Sequence, residues 1–266
     1  MPLVSFITAT RDVVRNGRAE ALRRCVRSVL TCSFPVEHIL VDGGSTDGTI
    51  ELIQRLGDAE KVAQSESLKW ISEKDNGIYD ALNKGVKMAS GQWICVLGCD
   101  DWVCDPQALG EIIGQARADL VITPVDREDD LRTVNMKACL YSIPYCHQGL
   151  LARRKVFDRV GGFDARYKLV ADYKFALTCL LQNCSHQIVN RKFAHYATGG
   201  ASSNWGKAFG EGAAIMREMF GLTEEEEARA REKHVLPLRV CLHYLMHQNR
   251  YVRRSALYSL VKALVK

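Results

Sequence analysis

Carboxylates recur in this sequence where apolar runs end. Asp42 closes the run His38–Val41, Asp75 lies just beyond Lys69–Ser72, and the adjacent pair Asp100 and Asp101 follows Trp93–Leu97 after Gly98-Cys99. A paired carboxylate of this kind suits a hard divalent cation that shares its shell with a phosphate-bearing ligand. Asp-Asp after a strand is also ordinary turn chemistry, so the pair alone does not separate the two readings. Another acid, Asp172, precedes the helical stripe Phe175, Ala176, Cys179 and Leu180. It could take a proton from a reacting hydroxyl, or it could simply be an acid favoured at the start of a helix.

The elements that must position these groups follow from periodicity. Leu3–Thr8 is a short β-branched and aromatic run, and Leu22, Cys25, Val26, Val29 and Leu30 form a helical stripe within Ala19–Cys32. His38–Val41 predicts a second strand and Lys69–Ser72 a third, with an amphipathic helix through Ile50, Leu52, Ile53 and Leu56 between them. Ile78, Ala81, Leu82, Gly85, Val86 and Ala89 make a third helix before the fourth strand at Trp93. Strand and helix alternate here as in a mostly parallel sheet covered on both faces, an α/β fold. In such sheets ligands bind outside the carboxyl ends of the strands, so Thr8, Asp42, Asp75 and Asp100 are expected to meet along one edge.

Beyond Asp101 the pattern predicts a helix over Pro106–Ala118, a strand over Leu120–Val125, and an acidic turn at Asp126–Asp130 that opens a hairpin. A short helix Arg154–Val160 closes on Gly161-Gly162, and Gln187–Tyr196 reads as the last strand. The small-residue tract Ala197–Asn204 is either a slack connection or a loop that closes over a ligand. From Trp205 the sequence looks helical. The expected organisation is therefore a catalytic unit over residues 1–205 and a C-terminal helical extension over 206–266.

Composition narrows the function classes. With 47% apolar and 25% charged residues, the chain has the make-up of a globular protein with a sizeable core. Its ten cysteines show no Cys-x-x-Cys spacing, which argues against a disulfide framework or a zinc site and for a reducing compartment. No apolar stretch approaches the ~20 residues of a membrane span, and the N-terminus lacks the features of a signal peptide. A cytoplasmic location is expected. A net charge of +5 is too small to imply nucleic acid.

Four stretches, in order and in spacing, resemble glycosyltransferase family 2, the inverting nucleotide-sugar transferases with the glycosyltransferase-A fold. They are VSFITATRD, HILVDGGSTDGT, DNGIYDALNKGVKMASGQWICVLGCDDW and CHQGLLARRKVFDRVGGFDARYKLVADYKF, within residues 3 to 205. The resemblance implies a metal-dependent transfer from a UDP- or GDP-sugar to a saccharide or lipid-linked acceptor, in cell-surface polysaccharide or lipopolysaccharide synthesis. It places Thr8 and Thr10 beside the base, Asp42 on the uracil or ribose side, and Asp75 with the donor-binding residues. Lys84 lies toward the nucleotide, or is only a solvated helix residue. Asp100 and Asp101 would hold ribose and Mg²⁺ or Mn²⁺, Asp101 as the direct ligand, and Asp172 matches the general base. His147 and His195 are acceptor or diphosphate contacts, or hydrogen-bonded structural histidines. Two departures stand out: Gly43 follows Asp42 where many members pair two acids, and Ala171 precedes the base where Glu is frequent.

Two rival readings have distinct signatures. A sugar nucleotidyltransferase would carry a Gly-rich, basic phosphate loop after the first strand, and Ala9-Thr10-Arg11-Asp12 is not one. A non-catalytic nucleotide-sugar-binding or membrane-surface module would not need Asp172. From Arg239 onward the chain has Arg250, Arg253, Arg254, Lys262 and Lys266 and no acid, interleaved with Leu242, Leu257, Val261 and Leu264. Basic amphipathic helices of this kind can lie peripherally on an anionic membrane surface, here the inner face of the cytoplasmic membrane. They could instead pack on the catalytic unit or pair two subunits in a homodimer.

Overall fold

A computed structural model describes residues 3–62, 67–127, 130–198 and 205–264. The expected alternation forms over the first hundred residues: β1 (Val4–Thr10), α1 (Ala19–Leu30), β2 (Val36–Asp42), α2 (Thr49–Val62), β3 (Leu68–Ser72), α3 (Ile78–Met88) and β4 (Trp93–Val96). These four strands pair in parallel in the order β4-β1-β2-β3, so their carboxyl ends share one edge. Every residue of β2 is buried, as a strand covered on both faces requires. α3 lies close against β1 and β2 because Gly85 has no side chain. A Cβ there would collide with Ile7 and press on Val41.

The chain continues through β5 (Trp102–Val103), α4 (Pro106–Gly114), β6 (Leu120–Ile122), β7 (Val125–Arg127), β8 (Asp130–Arg132), β9 (Leu150–Arg153), α5 (Arg154–Val160), α6 (Ala171–Leu181), β10 (His186–Ile188) and β11 (Ala194–His195). β9, antiparallel to its neighbours, extends the central sheet to the order β10-β6-β9-β4-β1-β2-β3. A second, small sheet has the order β5-β11-β7-β8. Here two expected strands divide. Leu120–Val125 breaks after Ile122, since Pro124 has no N–H to continue a ladder, and Val125 restarts in the small sheet. Gln187–Tyr196 likewise splits, β10 staying in the central sheet and β11 joining the small one. The hairpin expected at Asp126–Asp130 forms, with Asp126 inside its first strand opposite Leu131.

At the edge opposite the acidic strand ends, one carboxylate binds the sheet together. Glu37 of β2 accepts from Ser5 Oγ of β1 at 2.5 Å, from Lys69 Nζ of β3 at 2.6 Å, and from the Ser90 and Gly91 amides before β4 at 2.6 and 3.0 Å. Burial alone would raise its pKa, but Lys69, Ser5 and Ser90 hold it down, from 4.5 to about 2.

The C-terminal region forms α7 (Trp205–Phe220), α8 (Glu224–Lys233), α9 (Leu238–Leu245) and α10 (Arg250–Leu264). One apolar cluster joins Ile7 and Val41 of the sheet, Phe175 of α6, and Ile215, Val252 and Ala256 of these helices. Ser255 Oγ donates to the Lys137 carbonyl at 2.8 Å, tying α10 to the segment before β9. The outer faces stay uncovered: Leu242 is 54% exposed, Leu257 51%, Val261 49% and Met246 88%. Among the described residues no helix is long and apolar enough to cross a membrane.

Candidate active site

The parallel strands deliver Thr10, Asp42 and the Asp100-Asp101 turn to one edge, but the four side chains there have different fates. Asp42 is fully buried. Its carboxylate accepts from the Gly44 and Ser45 amides at 3.0 and 2.8 Å and from the hydroxyls of Ser45, Ser72 and Thr10 at 2.5, 2.7 and 3.3 Å. It shapes the Gly43–Ser45 loop, and both its oxygens are engaged by these internal donors. Thr8, expected beside a base, is also fully buried, with its hydroxyl 3.0 Å from His38 Nε2. Thr10 is 4% exposed and spent on Asp42.

The space that a side chain at position 43 would enter is taken by another acid. A Cβ on Gly43 would run into Asp75 Oδ2, with Arg11 Cδ 3.4 Å away on another side, so the Asp75 carboxylate occupies that space. Asp75 Oδ1 accepts from the Gly77 amide at 2.9 Å. Lys84 supports the loop before it: Nζ lies 2.9 Å from Glu73 Oε1 and 2.9 Å from the Lys74 carbonyl. The lysine is thus bound to the Asp75 loop in this structure.

Asp100 and Asp101, adjacent in sequence, have different surroundings. Asp101 is 1% exposed; Oδ2 accepts from the Gly98 amide at 2.7 Å and Gln148 Nε2 at 2.9 Å, and Oδ1 from the Ala197 amide at 2.9 Å. Those bonds pin the acidic turn to the start of the small-residue tract, of which residues 199–204 lie outside the described residues. Asp100 keeps 18% of its side chain exposed and has Arg18 at 3.3 Å. Burial, and then the like charge of Asp101, raise its pKa. The Arg24 guanidinium sits 3.7 Å over Trp102 and donates to the Asp100 carbonyl at 3.1 Å, while His195 stacks on the same indole at 3.7 Å. His195 is 9% exposed and belongs to this brace.

Asp172 stands in the first turn of α6, one residue inside the helix, with Val170 at the cap position. Oδ1 accepts from Tyr79 OH of α3 at 3.1 Å and from the Tyr173 amide at 2.9 Å; Oδ2 is 3.1 Å from His147 Nδ1. The acidic face of α7 holds the segment leading into this helix. Glu211 accepts from the amides of Lys168, Leu169 and Val170 at 2.8, 2.7 and 3.2 Å, and Glu218 from Tyr167 OH at 2.5 Å and Lys174 Nζ at 2.7 Å.

The two acidic centres are joined through one turn. His147 and Gln148 open a 3₁₀ turn (His147–Gly149), and the first binds Asp172 while the second binds Asp101. Periodicity gave no sign of Gln148, Tyr79, Arg18 or Glu211. The nearest signal was a polar His-Gln pair interrupting the approach to an apolar strand.

Comparison with known proteins agrees with this architecture. The family model described as glycosyl transferase family 2 matches residues 13–172. Glycosyltransferases of PGL/p-HBAD biosynthesis from Mycobacterium bovis and Mycobacterium tuberculosis are 33% identical over 192 residues, which is 67% of this chain and 70% of theirs. Among solved structures, residues 1–349 of Staphylococcus aureus TarS in complex with UDP align over all of this chain and 92% of that one, with a TM-score of 0.63 at 15% identity. The mannosyltransferase PcManGT from Pyrobaculum calidifontis, solved with GDP-Man and Mn²⁺, aligns over 99% of this chain and 75% of its own, with a TM-score of 0.62 at 18% identity. The central sheet with its acidic carboxyl edge is accordingly a glycosyltransferase-A fold, and the chain belongs to glycosyltransferase family 2.

Proposed function

We propose that this chain transfers a sugar, with inversion, from a UDP- or GDP-sugar to a hydroxyl of a saccharide or lipid-linked acceptor, using a divalent cation. One observation carries the reading: adjacent residues of a single turn bind one acid each, Gln148 holding Asp101 and His147 holding Asp172. In this reading a donor-side acidic turn and an acceptor-side carboxylate are tied to the same short turn. A single displacement needs that arrangement, with charge developing on the leaving diphosphate on one side and an acceptor losing its proton on the other.

The residues present fit Mg²⁺ or Mn²⁺ at Asp100. Asp101 is buried with both oxygens accepting from N–H groups, so we reassign the direct ligand expected there from the sequence to Asp100, whose side chain is 18% exposed. An ion held by that one carboxylate would have its shell completed by water and diphosphate oxygens. When bound, such an ion would offset charge on the leaving diphosphate. Asp75, beside Gly43 and Arg11, is the acid placed to meet the base or ribose, and Asp172 is the charge on which deprotonation of the acceptor depends. Residues 1–205 make up the catalytic unit in this reading. The exposed apolar and basic outer faces of α9 and α10 lie on an anionic membrane surface at the cytoplasmic side, near a lipid-linked acceptor.

Calorimetry with UDP, GDP, UDP-N-acetylglucosamine and GDP-mannose, with and without Mn²⁺, tests this. Binding of at least one nucleotide should depend on Mn²⁺, and Asp100→Asn should remove that dependence while leaving the melting temperature within a few degrees. Metal-dependent binding that survives in Asp100→Asn would overturn the cation assignment.

A further inference from the structure

Asp172 has little room to receive a proton directly. Its side chain is 14% exposed, and both oxygens already accept hydrogen bonds, from Tyr79 OH and the Tyr173 amide on one and His147 on the other. His147 is differently placed. Its side chain is 34% exposed, and only Nδ1 has a partner among the described residues. An ionised carboxylate can only accept, so the nitrogen facing Asp172 must be the protonated one, and in the neutral ring Nε2 then carries the free lone pair. The ring belongs to the turn whose next residue holds Asp101, which fixes it between the two acidic centres.

Resting on the transferase reading above, we propose that His147 Nε2 is the atom that takes the acceptor's proton, and that Asp172 acts through it as a positioning carboxylate. As the acceptor oxygen bonds to the anomeric carbon, the bond from that carbon to the diphosphate oxygen breaks and its electron pair leaves with the diphosphate. The hydroxyl proton passes to Nε2. The imidazolium that forms is held by Asp172 through Nδ1–H, and the ring gives its extra proton to solvent before the next turnover.

The surroundings favour this charge. Burial by itself would lower the His147 pKa, but the hydrogen bond and charge of Asp172, with Asp101 behind, raise it above 6.5. The charges acting on the ring are those of Asp172 from α6 and Asp101 from the turn after β4, and Tyr145 lines the same cavity. Tyr79 of α3 reaches it only through Asp172. The base is therefore disabled as pH falls through a value above that of an ordinary histidine.

The test uses the full chain, Mn²⁺, and UDP-N-acetylglucosamine, UDP-glucose or GDP-mannose, with water in the acceptor's place and nucleotide release as readout. Wild-type kcat should fall about tenfold per pH unit on an acidic limb that breaks above pH ~6.5. His147→Asn keeps an N–H toward Asp172 and lacks the second nitrogen. It should lose about 10²-fold in kcat with donor Kd within about twofold, and added imidazole should restore part of the loss. Asp172→Asn should lower kcat and also move the acidic limb to lower pH, which loss of packing alone would not do. A His147→Asn enzyme within about fivefold of wild type, or a wild-type profile flat down to the carboxylate range, would overturn the proton path and leave the transferase reading standing. Absence of nucleotide binding and turnover with every donor would overturn both.

Discussion

Replacing Glu37 by Gln removes the charge that joins β1, β2, β3 and the turn before β4, and its cost can be worked from the structure. The carboxylate is 2% exposed and its pKa falls from 4.5 to about 2 on folding. At about 1.4 kcal/mol per unit, the shift is a stabilisation of about 3 kcal/mol near neutral pH. Because the folded pKa is the lower one, the contribution is complete above the unfolded value and is lost as pH falls from 4.5 toward 2. Glu37→Gln should therefore be about 3 kcal/mol less stable than wild type at pH ~7, and only about 2 kcal/mol less stable at pH ~3.5. Lys69 loses its partner at small cost, since 43% of its side chain already reaches water. Urea titrations followed by far-UV circular dichroism would measure both gaps. A gap below about 1 kcal/mol at neutral pH, or one that does not narrow in acid, would refute the reasoning.

Two further outcomes follow from packing and from the outer helices. Gly149→Ala should cost about 1–3 kcal/mol, because its Cβ would overlap the Thr123 carbonyl oxygen and sit 2.9 Å from Val125 Cγ1, where backbone rather than a flexible side chain must yield. Thermal unfolding checks it, and an unchanged melting temperature would contradict the geometry. For the membrane proposal, truncation before α9 is a poor test, since Val240, Val252 and Ala256 belong to the main core. Combined Leu242→Glu, Leu257→Glu and Val261→Glu should abolish flotation with anionic vesicles at an unchanged melting temperature. Arg253→Gln with Arg254→Gln should weaken it by about 2 kcal/mol. Failure of the wild type to float at low salt would remove the membrane role.

The α/β architecture was legible because period and chemistry change together: each apolar run of strand length ends in a polar loop, and each helix shows one stripe. The small sheet was not legible. β5 and β11 are each two residues long, too short to carry any alternation, and their pairing joins positions as far apart as Trp102 and His195. The acidic edge could be located from the sequence, but the free oxygens on it could not. Asp42, Asp100 and Asp101 all follow strands, yet the donors that bury two of them come from Thr10 and Ser72, and from Gln148 and Ala197, which local spacing cannot foresee. The position of the Asp75 carboxylate against Gly43 is of the same kind, since only the fold brings the two loops together.

The carboxylates of α7 have a consequence for building hybrid enzymes. Glu211 and Glu218 lie beyond residue 205, yet they bind the loop that starts the helix bearing Asp172. A junction drawn between a catalytic half and an interchangeable C-terminal half would cut through that set of bonds. Exchange between relatives should move residues 164–174 together with α7 as one block. A foreign α7 without acids at these two positions would leave the Lys168, Leu169 and Val170 amides and the Lys174 ammonium seeking new partners, beside Asp172.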